Sequence, residues 1–303
     1  MKICHYNDRE AGIVQGDRVH PLGPALVKAG LVPERYTMRD VIEALANRPG
    51  AMDVARDAAS RGESLPLASV RLLAPISDPP AIWCAAANYK AHQDEMVARV
   101  GSSYSAELSK DDLMAEFFLK PSSSIIGPGQ PVVLPQVARH TDFECELCAV
   151  IGRTARRVPE EKALDCVFGY LMCWDFSLRD PWARGRNNTR NIRKGFDTFT
   201  GLGPWIVTRD EIDEPQNLSI VVEQNGTVVM RAHTSDMICG LREHIRFLSS
   251  VLTLQPGVLI TTGTPAGVSK LAEGDHLKGT IEKIGTMEID VRAEAPEDRP
   301  GKK

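Results

Sequence analysis

The chain has 303 residues, 43% of them hydrophobic and 25% charged, with 36 Lys and Arg against 40 Asp and Glu for a formal net charge of -4. That length and composition support a sizeable core and exclude a disordered or collagen-like chain. With no run of like charge, neither a nucleic-acid partner nor a membrane surface is expected, and the partner should be a small molecule. The seven cysteines are odd in number and set in apolar stretches, so they read as reduced, buried thiols. No apolar signal core opens the chain, and no stretch of about 18 apolar residues follows, so a soluble, cytoplasmic protein is expected.

In chain order, residues 2–6 and 12–22 predict a β-hairpin, turned at Asn7-Asp8-Arg9-Glu10 and broken at Gly16-Asp17. Met38, Val41, Ile42 and Leu45 recur at helical spacing, and Asn47-Arg48-Pro49-Gly50 stops that helix. Ala74-Pro75-Ile76-Ser77-Asp78-Pro79-Pro80 continues neither helix nor sheet. A small N-terminal domain over 1–73, a linker over 74–80 and a main domain over 81–292 are therefore expected. Beyond the linker, short apolar runs rich in Val, Ile and Leu are separated by Gly and Pro, at 81–86, 117–119, 131–134, 143–151, 168–174, 205–207, 218–224, 258–262, 276–284 and 287–291. They are too short for helices and predict a mainly β architecture, a barrel or folded sheet roll. One helix interrupts them, capped by Thr234 or Ser235, carrying Met237, Ile238, Leu241, Ile245, Leu248 and Leu252, and ended by Gln255-Pro256-Gly257. The charged tail 293–303 has little to bury and is expected to be flexible.

The sharpest chemical feature is Phe143-Glu144-Cys145-Glu146-Leu147-Cys148-Ala149-Val150-Ile151. On a strand, Glu144 and Glu146 project from one face, and two anions that close repel unless a cation lies between them or one is protonated. An isolated E-x-E is most often a solvated strand face. A third acid, Asp175, at the end of the run 168–174 shifts the balance toward an open divalent site of hard oxygen ligands, suited to Mg²⁺, Mn²⁺ or Ca²⁺. Cys145 and Cys148 form a C-x-x-C, but on a strand their sulfurs diverge, and no second pair exists for zinc. In Asn88-Tyr89-Lys90-Ala91-His92-Gln93-Asp94-Glu95 a short helix would place His92 and Glu95 on one face, a base with its orienting carboxylate. Thr261-Thr262-Gly263-Thr264-Pro265-Ala266-Gly267 offers hydroxyls and backbone N–H groups in a tight loop, a seat for a carboxylate. No P-loop, dinucleotide-binding or G-x-S-x-G motif is present, which removes nucleotide-dependent and serine-hydrolase readings.

Taken in order, these segments, with Phe118-Leu119-Lys120-Pro121, Ile126-Gly127-Pro128-Gly129, Asp175-Phe176-Ser177-Leu178-Arg179-Asp180, Lys194 before Phe196-Asp197-Thr198-Phe199, and Gly203-Pro204-Trp205, resemble the fumarylacetoacetate hydrolase family over roughly residues 80–292. That family includes acylpyruvate and fumarylpyruvate hydrolases, related oxaloacetate decarboxylases and hydroxymuconate isomerases. The resemblance implies a mixed β-sandwich roll with a small N-terminal α+β domain, and a homodimer. It also implies a divalent ion, most often Mg²⁺, held by Glu144, Glu146 and Asp175; a water-activating dyad of His92 and Glu95 on a lid; Lys194 as positive charge near the metal; and Arg179 and Thr264 near the substrate. The implied reaction is hydrolytic cleavage of a C–C bond in a 2,4-dioxo acid, through a metal-stabilised enolate. The alternative is decarboxylation or isomerisation of a 2-oxo diacid at the same site. Pro181-Trp182 stands where many small members carry a glutamine, which predicts an aromatic wall, and the segment 93–117 is longer than in compact members and enlarges the lid.

Overall fold

The computed structural model describes residues 1–100, 109–184 and 190–295. Part of the enlarged lid segment, including Gly101-Ser102-Ser103-Tyr104-Ser105, and the tail beyond 295 lie outside the described residues. No helix among the described residues is long and apolar enough to cross a membrane.

Two sheets face each other. The larger, of twelve strands, runs from the N-terminal strands Arg18–Pro21, Glu10–Gln15 and Lys2–Tyr6 through Thr200–Thr208, Val167–Asp175, Cys145–Ile151, Leu259–Thr261 and Ile82–Cys84 to Phe118–Lys120. Strand Lys2–Tyr6 pairs antiparallel with Thr200–Thr208, so the N-terminal hairpin extends the same sheet that carries the central strands. The second sheet has five strands, in the order Thr227–His233, Ser219–Gln224, His276–Ile281, Gly285–Ala293 and Val132–Leu134.

The strands at the centre are buried on both faces, which is why 147–151 and 168–174 read as unbroken apolar runs and not as alternating ones. Side-chain alternation divides them between two cores. Cys145, Leu147, Met172 and Trp174 pack toward the five-stranded sheet, while Cys148, Val150, Leu171 and Cys173 pack with Val41, Ile42 and Leu45 of the N-terminal helix. Cys145 and Cys148 therefore point to opposite sides, and all seven cysteines are free and buried. That helix, Met38–Asn47, is capped by Thr37, whose side chain accepts from the Asp40 N–H while the Asp40 carboxylate accepts from the Thr37 N–H. It ends where Arg48 turns extended before Pro49.

The helix expected from Thr234 starts later. Its span is Leu241–Val251, with Gly240 as N-cap and Glu243 accepting from the Gly240 N–H. Residues 237–239 are withheld from the helix because Asn88 claims their backbone: Ile238 N–H donates to Asn88 O, and Cys239 N–H donates to Asn88 Oδ1. A helical periodicity there is real, but a remote hydrogen-bonding partner outcompetes it.

The two sheets approach closely where glycine replaces a side chain. A Cβ on Gly279 would lie 2.6 Å from Trp174 Cζ2 and 3.1 Å from Met172 Sδ. Gly279→Ala should therefore lower stability by about 1–3 kcal/mol through overpacking, read as a lower urea midpoint at unchanged slope. A second prediction concerns His244, which is 1% exposed in helix Leu241–Val251 with its ring edge-on to Phe117 at 5.1 Å. Burial pulls its pKa from 6.5 down to about 4, only partly offset by Glu243. The folded protein thus keeps this imidazole neutral while the unfolded chain protonates it. Its contribution is intact above the unfolded value of 6.5 and is lost as pH falls toward 4, by up to about 3 kcal/mol. Between pH 7 and 4.5 the urea midpoint should drop less in His244→Phe than in wild type; an equal drop would remove His244 as the cause.

Candidate metal centre and active site

The antiparallel pairing of Cys145–Ile151 with Val167–Asp175 sets Cys145 opposite Trp174 and Glu146 opposite Cys173, and the Asp175 N–H donates to the Glu144 carbonyl at 2.9 Å. Glu144, Glu146 and Asp175 thereby meet at one end of the strand pair. One carboxylate oxygen from each lies within 4.8 Å of the others, and all three residues are buried.

Three cations surround them. Lys194 Nζ lies 2.9 Å from Glu144 Oε2 and 2.5 Å from Asp175 Oδ2. Lys120 Nζ lies 2.5 Å from Asp175 Oδ1 and donates to the Lys194 carbonyl at 2.6 Å. Arg179 donates through Nη2 to Glu144 Oε1 at 2.7 Å and through Nε to Asp142 Oδ2 at 3.0 Å, and Ser177 Oγ donates to Glu144 Oε1 at 3.1 Å. Glu146 is treated differently. Its Oε2 accepts from the Gly263 N–H at 2.7 Å, while its buried Oε1 accepts no hydrogen bond.

The electrostatics follow from these contacts. Burial pushes the Glu144 carboxyl up, but Lys194 and Arg179 outweigh it and hold the group well below the usual carboxylate range. Burial, followed by the neighbouring Asp175 and Glu144 charges, pushes Glu146 up to about 8. The Thr261 hydroxyl is close enough to ease that charge but makes no aligned hydrogen bond with it. Burial opposes the charge on Lys194, yet Asp175 and Glu144 raise its pKa.

The donor set fits a divalent ion. It is all oxygen, its three ligand atoms lie within 4.8 Å of one another, and it contains a buried carboxylate oxygen without a hydrogen-bond partner on Glu146, whose carboxyl burial pushes up. Positive charge placed there would relieve the repulsion that burial creates. A zinc-type sulfur or imidazole set is absent from this cluster.

Helix Lys90–Val100 brings His92 and Glu95 to one side, with His92 Nδ1 3.5 Å from Glu95 Oε2. The start of this helix is pinned by Asn88, whose Nδ2 donates to the carbonyls of Cys239 and Thr262 at 2.9 Å each. The loop 261–267, expected to seat a carboxylate, does so with the protein's own groups: Gly263 N–H holds Glu146 and Gly267 N–H holds Glu95 Oε2 at 3.2 Å. Both glycines have positive φ, +84° and +108°, and a Cβ on Gly267 would lie 2.4 Å from the Val229 carbonyl. Thr264 Oγ1 donates to the Cys145 carbonyl at 3.4 Å.

His92, Glu144, Arg179, Lys194 and Thr264 line one narrow pocket, with Glu95, Glu146 and Asp175 outside its lining. Wider clefts occur elsewhere on the surface, but the chemistry-bearing side chains converge on this one. The sequence reading assigned no role to Lys120, Arg190 or Arg193, all of which are at the site. Lys120 had a weak signal, a lysine ending the apolar strand Phe118–Lys120 just before Pro121. Trp182 does not form the expected wall: it is 54% exposed, outside the pocket lining, and packs edge-on against Phe196 at 6.4 Å.

Residues 81–292 match the model of the fumarylacetoacetate (FAA) hydrolase C-terminal domain. The chain is 38% identical over 298 residues to a maleylpyruvate hydrolase from Aquipseudomonas alcaligenes, covering 97% of this chain and 100% of that protein. It is 33% identical over 258 residues to a mitochondrial oxaloacetate tautomerase from Bos taurus, covering 82% and 78% of the two chains. Among solved structures, the maleylpyruvate hydrolase from Sphingobium sp. SYK-6, in complex with manganese(II) and pyruvate, superposes with a TM-score of 0.81 at 31% identity over 97% of this chain and 100% of that one. Fold, site and sequence agree that the chain belongs to the fumarylacetoacetate hydrolase family.

Proposed function

We propose that the protein is a divalent-metal-dependent hydrolase that cleaves the C–C bond of a 2,4-dioxo acid, of the acylpyruvate, fumarylpyruvate or fumarylacetoacetate type. The observation that carries this reading is a pocket lined both by His92, which Glu95 backs, and by Glu144, one of a buried carboxylate triad suited to a hard cation. Glu144, Glu146 and Asp175 hold the ion, Mg²⁺ or alternatively Mn²⁺ or Ca²⁺. When bound, it supplies Lewis-acid polarisation of the substrate's 2-oxo group.

The chain's own residues account for the rest. Glu95, itself held by Gly267, faces His92 Nδ1 and so favours the tautomer with a proton there, leaving Nε2 as the base. His92 takes a proton from water as the hydroxide adds to the distal acyl carbonyl. In an acylpyruvate the bond between C3 and C4 breaks, the acyl group departs as a carboxylic acid, and the electron pair stays on C3, which is protonated to give pyruvate. Lys194, charged and buried against Glu144 and Asp175, and Arg179, fixed by Asp142 and Glu144, keep positive charge beside the developing oxyanion. Thr264 lines the same pocket at the substrate's edge.

His92→Ala should reduce kcat by about 10²- to 10⁴-fold, followed as loss of enol absorbance with acetylpyruvate and fumarylpyruvate in Mg²⁺. Mn²⁺ binding by calorimetry should persist in that variant. If wild type consumes only oxaloacetate, and His92→Ala consumes it equally well, the hydrolase reading fails. Glu146→Gln removes the anion that burial already disfavours. Its metal-free thermal midpoint should equal or exceed that of wild type, while the rise in midpoint that Mn²⁺ induces in wild type should vanish. A full Mn²⁺-induced rise in Glu146→Gln would remove Glu146 from the ligand set.

A further inference from the structure

Arg179 is bracketed by a short ribbon of chain. Strand Thr141–Asp142 pairs antiparallel with Ser177–Leu178, which sets Thr141 opposite Leu178 and Asp142 opposite Ser177. The zipper continues past both strands. The Arg179 N–H donates to the His140 carbonyl at 2.7 Å, and Asp180 Oδ2 accepts from the N–H groups of Arg139 and His140 at 3.0 and 3.1 Å. The backbones of His140 and Arg179 are therefore fixed to each other without help from the pocket.

Their side chains meet through Asp142. Its Oδ2 accepts from Arg179 Nε at 3.0 Å, and its Oδ1 lies 2.5 Å from His140 Nε2. A carboxylate only accepts, so the contact selects the imidazole form with a proton on Nε2. Burial grades along the three groups: the His140 side chain is 43% exposed, Asp142 is buried, and Arg179 lines the catalytic pocket. Imidazole, carboxylate and guanidinium thus form a line from solvent to the pocket.

Glu144 also holds Arg179, but its carboxylate is heavily shared. Oε1 accepts from both Arg179 Nη2 and Ser177 Oγ, Oε2 accepts from Lys194 Nζ, and the same residue belongs to the triad that suits a divalent ion. Glu144 cannot give one oxygen fully to Arg179 and to an ion as well. Asp142 stands outside the triad, so its grip on the guanidinium does not compete with ion binding. An aspartate bonded through one oxygen still turns about its broad terminal torsion, and a donor on the other oxygen fixes its plane. We propose that Asp142 and His140 are positioning residues for Arg179: Asp142 holds the guanidinium at the pocket wall, and His140 holds Asp142 from the surface. This rests on the hydrolase reading above and deepens it, since it names what keeps Arg179 beside the developing oxyanion.

The test is kcat for fumarylpyruvate and acetylpyruvate with Mg²⁺ in His140→Ala, His140→Gln and Asp142→Asn, each made in wild type and in Arg179→Met. In wild type, Asp142→Asn should lower kcat by about 10-fold and His140→Ala by about 3- to 10-fold, the scale of one hydrogen bond. His140→Gln places an N–H donor where Nε2 stood and should recover most of that loss. In Arg179→Met, none of the three should lower kcat further, because the effect passes through the guanidinium. Equal losses in the two backgrounds, or no loss in either, overturn the proposal. A second readout needs neither metal nor turnover. In protein made with ¹⁵N-labelled arginine, the Arg179 Nε–H signal is identified by its absence from Arg179→Met. Its exchange with water should be about 10-fold faster in His140→Ala than in wild type and near the wild-type rate in His140→Gln; an unchanged rate in His140→Ala overturns the proposal. Should Asp142→Asn fail to fold, the two His140 variants decide. If wild type hydrolyses neither acid, the hydrolase reading fails, and the exchange rates alone decide whether His140 and Asp142 hold Arg179.

Discussion

Three buried carboxylates within 4.8 Å of one another are unstable unless positive charge lies among them. Much of the chain's course around the site answers that constraint. Lys120 arrives from the edge strand Phe118–Lys120, Lys194 from the turn Asn191–Lys194, and Arg179 from just beyond the central strand Val167–Asp175. Each makes direct contact with the triad, and Lys120 also ties the Lys194 backbone to Asp175. The cluster is thus a device for holding charge, in which Glu146 remains the unsatisfied member.

The loop 261–267 couples that cluster to the imidazole. Gly263 and Gly267 present N–H groups to Glu146 and Glu95, so a carboxylate of the triad and the one beside His92 are positioned by the same few residues. Asn88 adds a third tie, from the root of the His92 helix to the Thr262 and Cys239 carbonyls. Glu146 and His92 are thereby held in one frame built from backbone groups, which keep their geometry because the strands behind them are buried on both faces.

Much of this was legible in the residues. The acids 144 and 146 had to share a face if 143–151 was a strand, His92 and Glu95 had to share one if 90–100 was a helix, and the apolar runs marked most of the strands. What the residues could not reveal is partnership at long range. The Asn88 contacts that hold 237–239 out of the helix join residues 151 apart in sequence, and the Lys120 contact with Asp175 joins residues 55 apart. The loop 261–267 was recognisable as a carboxylate seat, but the carboxylates that occupy it come from positions 95 and 146. Trp182 looked like a pocket wall because local order says nothing of which way a side chain turns, and the structure rests it on Phe196 in the open.

Local rules of alternation, capping and turn chemistry act over a few residues, and so the sequence by itself determined the strands, the capped N-terminal helix, the divergent cysteines and the acidic pair. Tertiary structure alone decided the neutralisation of the triad, the orphaned oxygen of Glu146 and the convergence of Arg190 and Arg193 on a pocket walled by Ala85 to Ala87. The reason is physical: electrostatic energy in a buried site depends on distance and on exclusion of water, and both are set only when segments far apart in the chain close around one point.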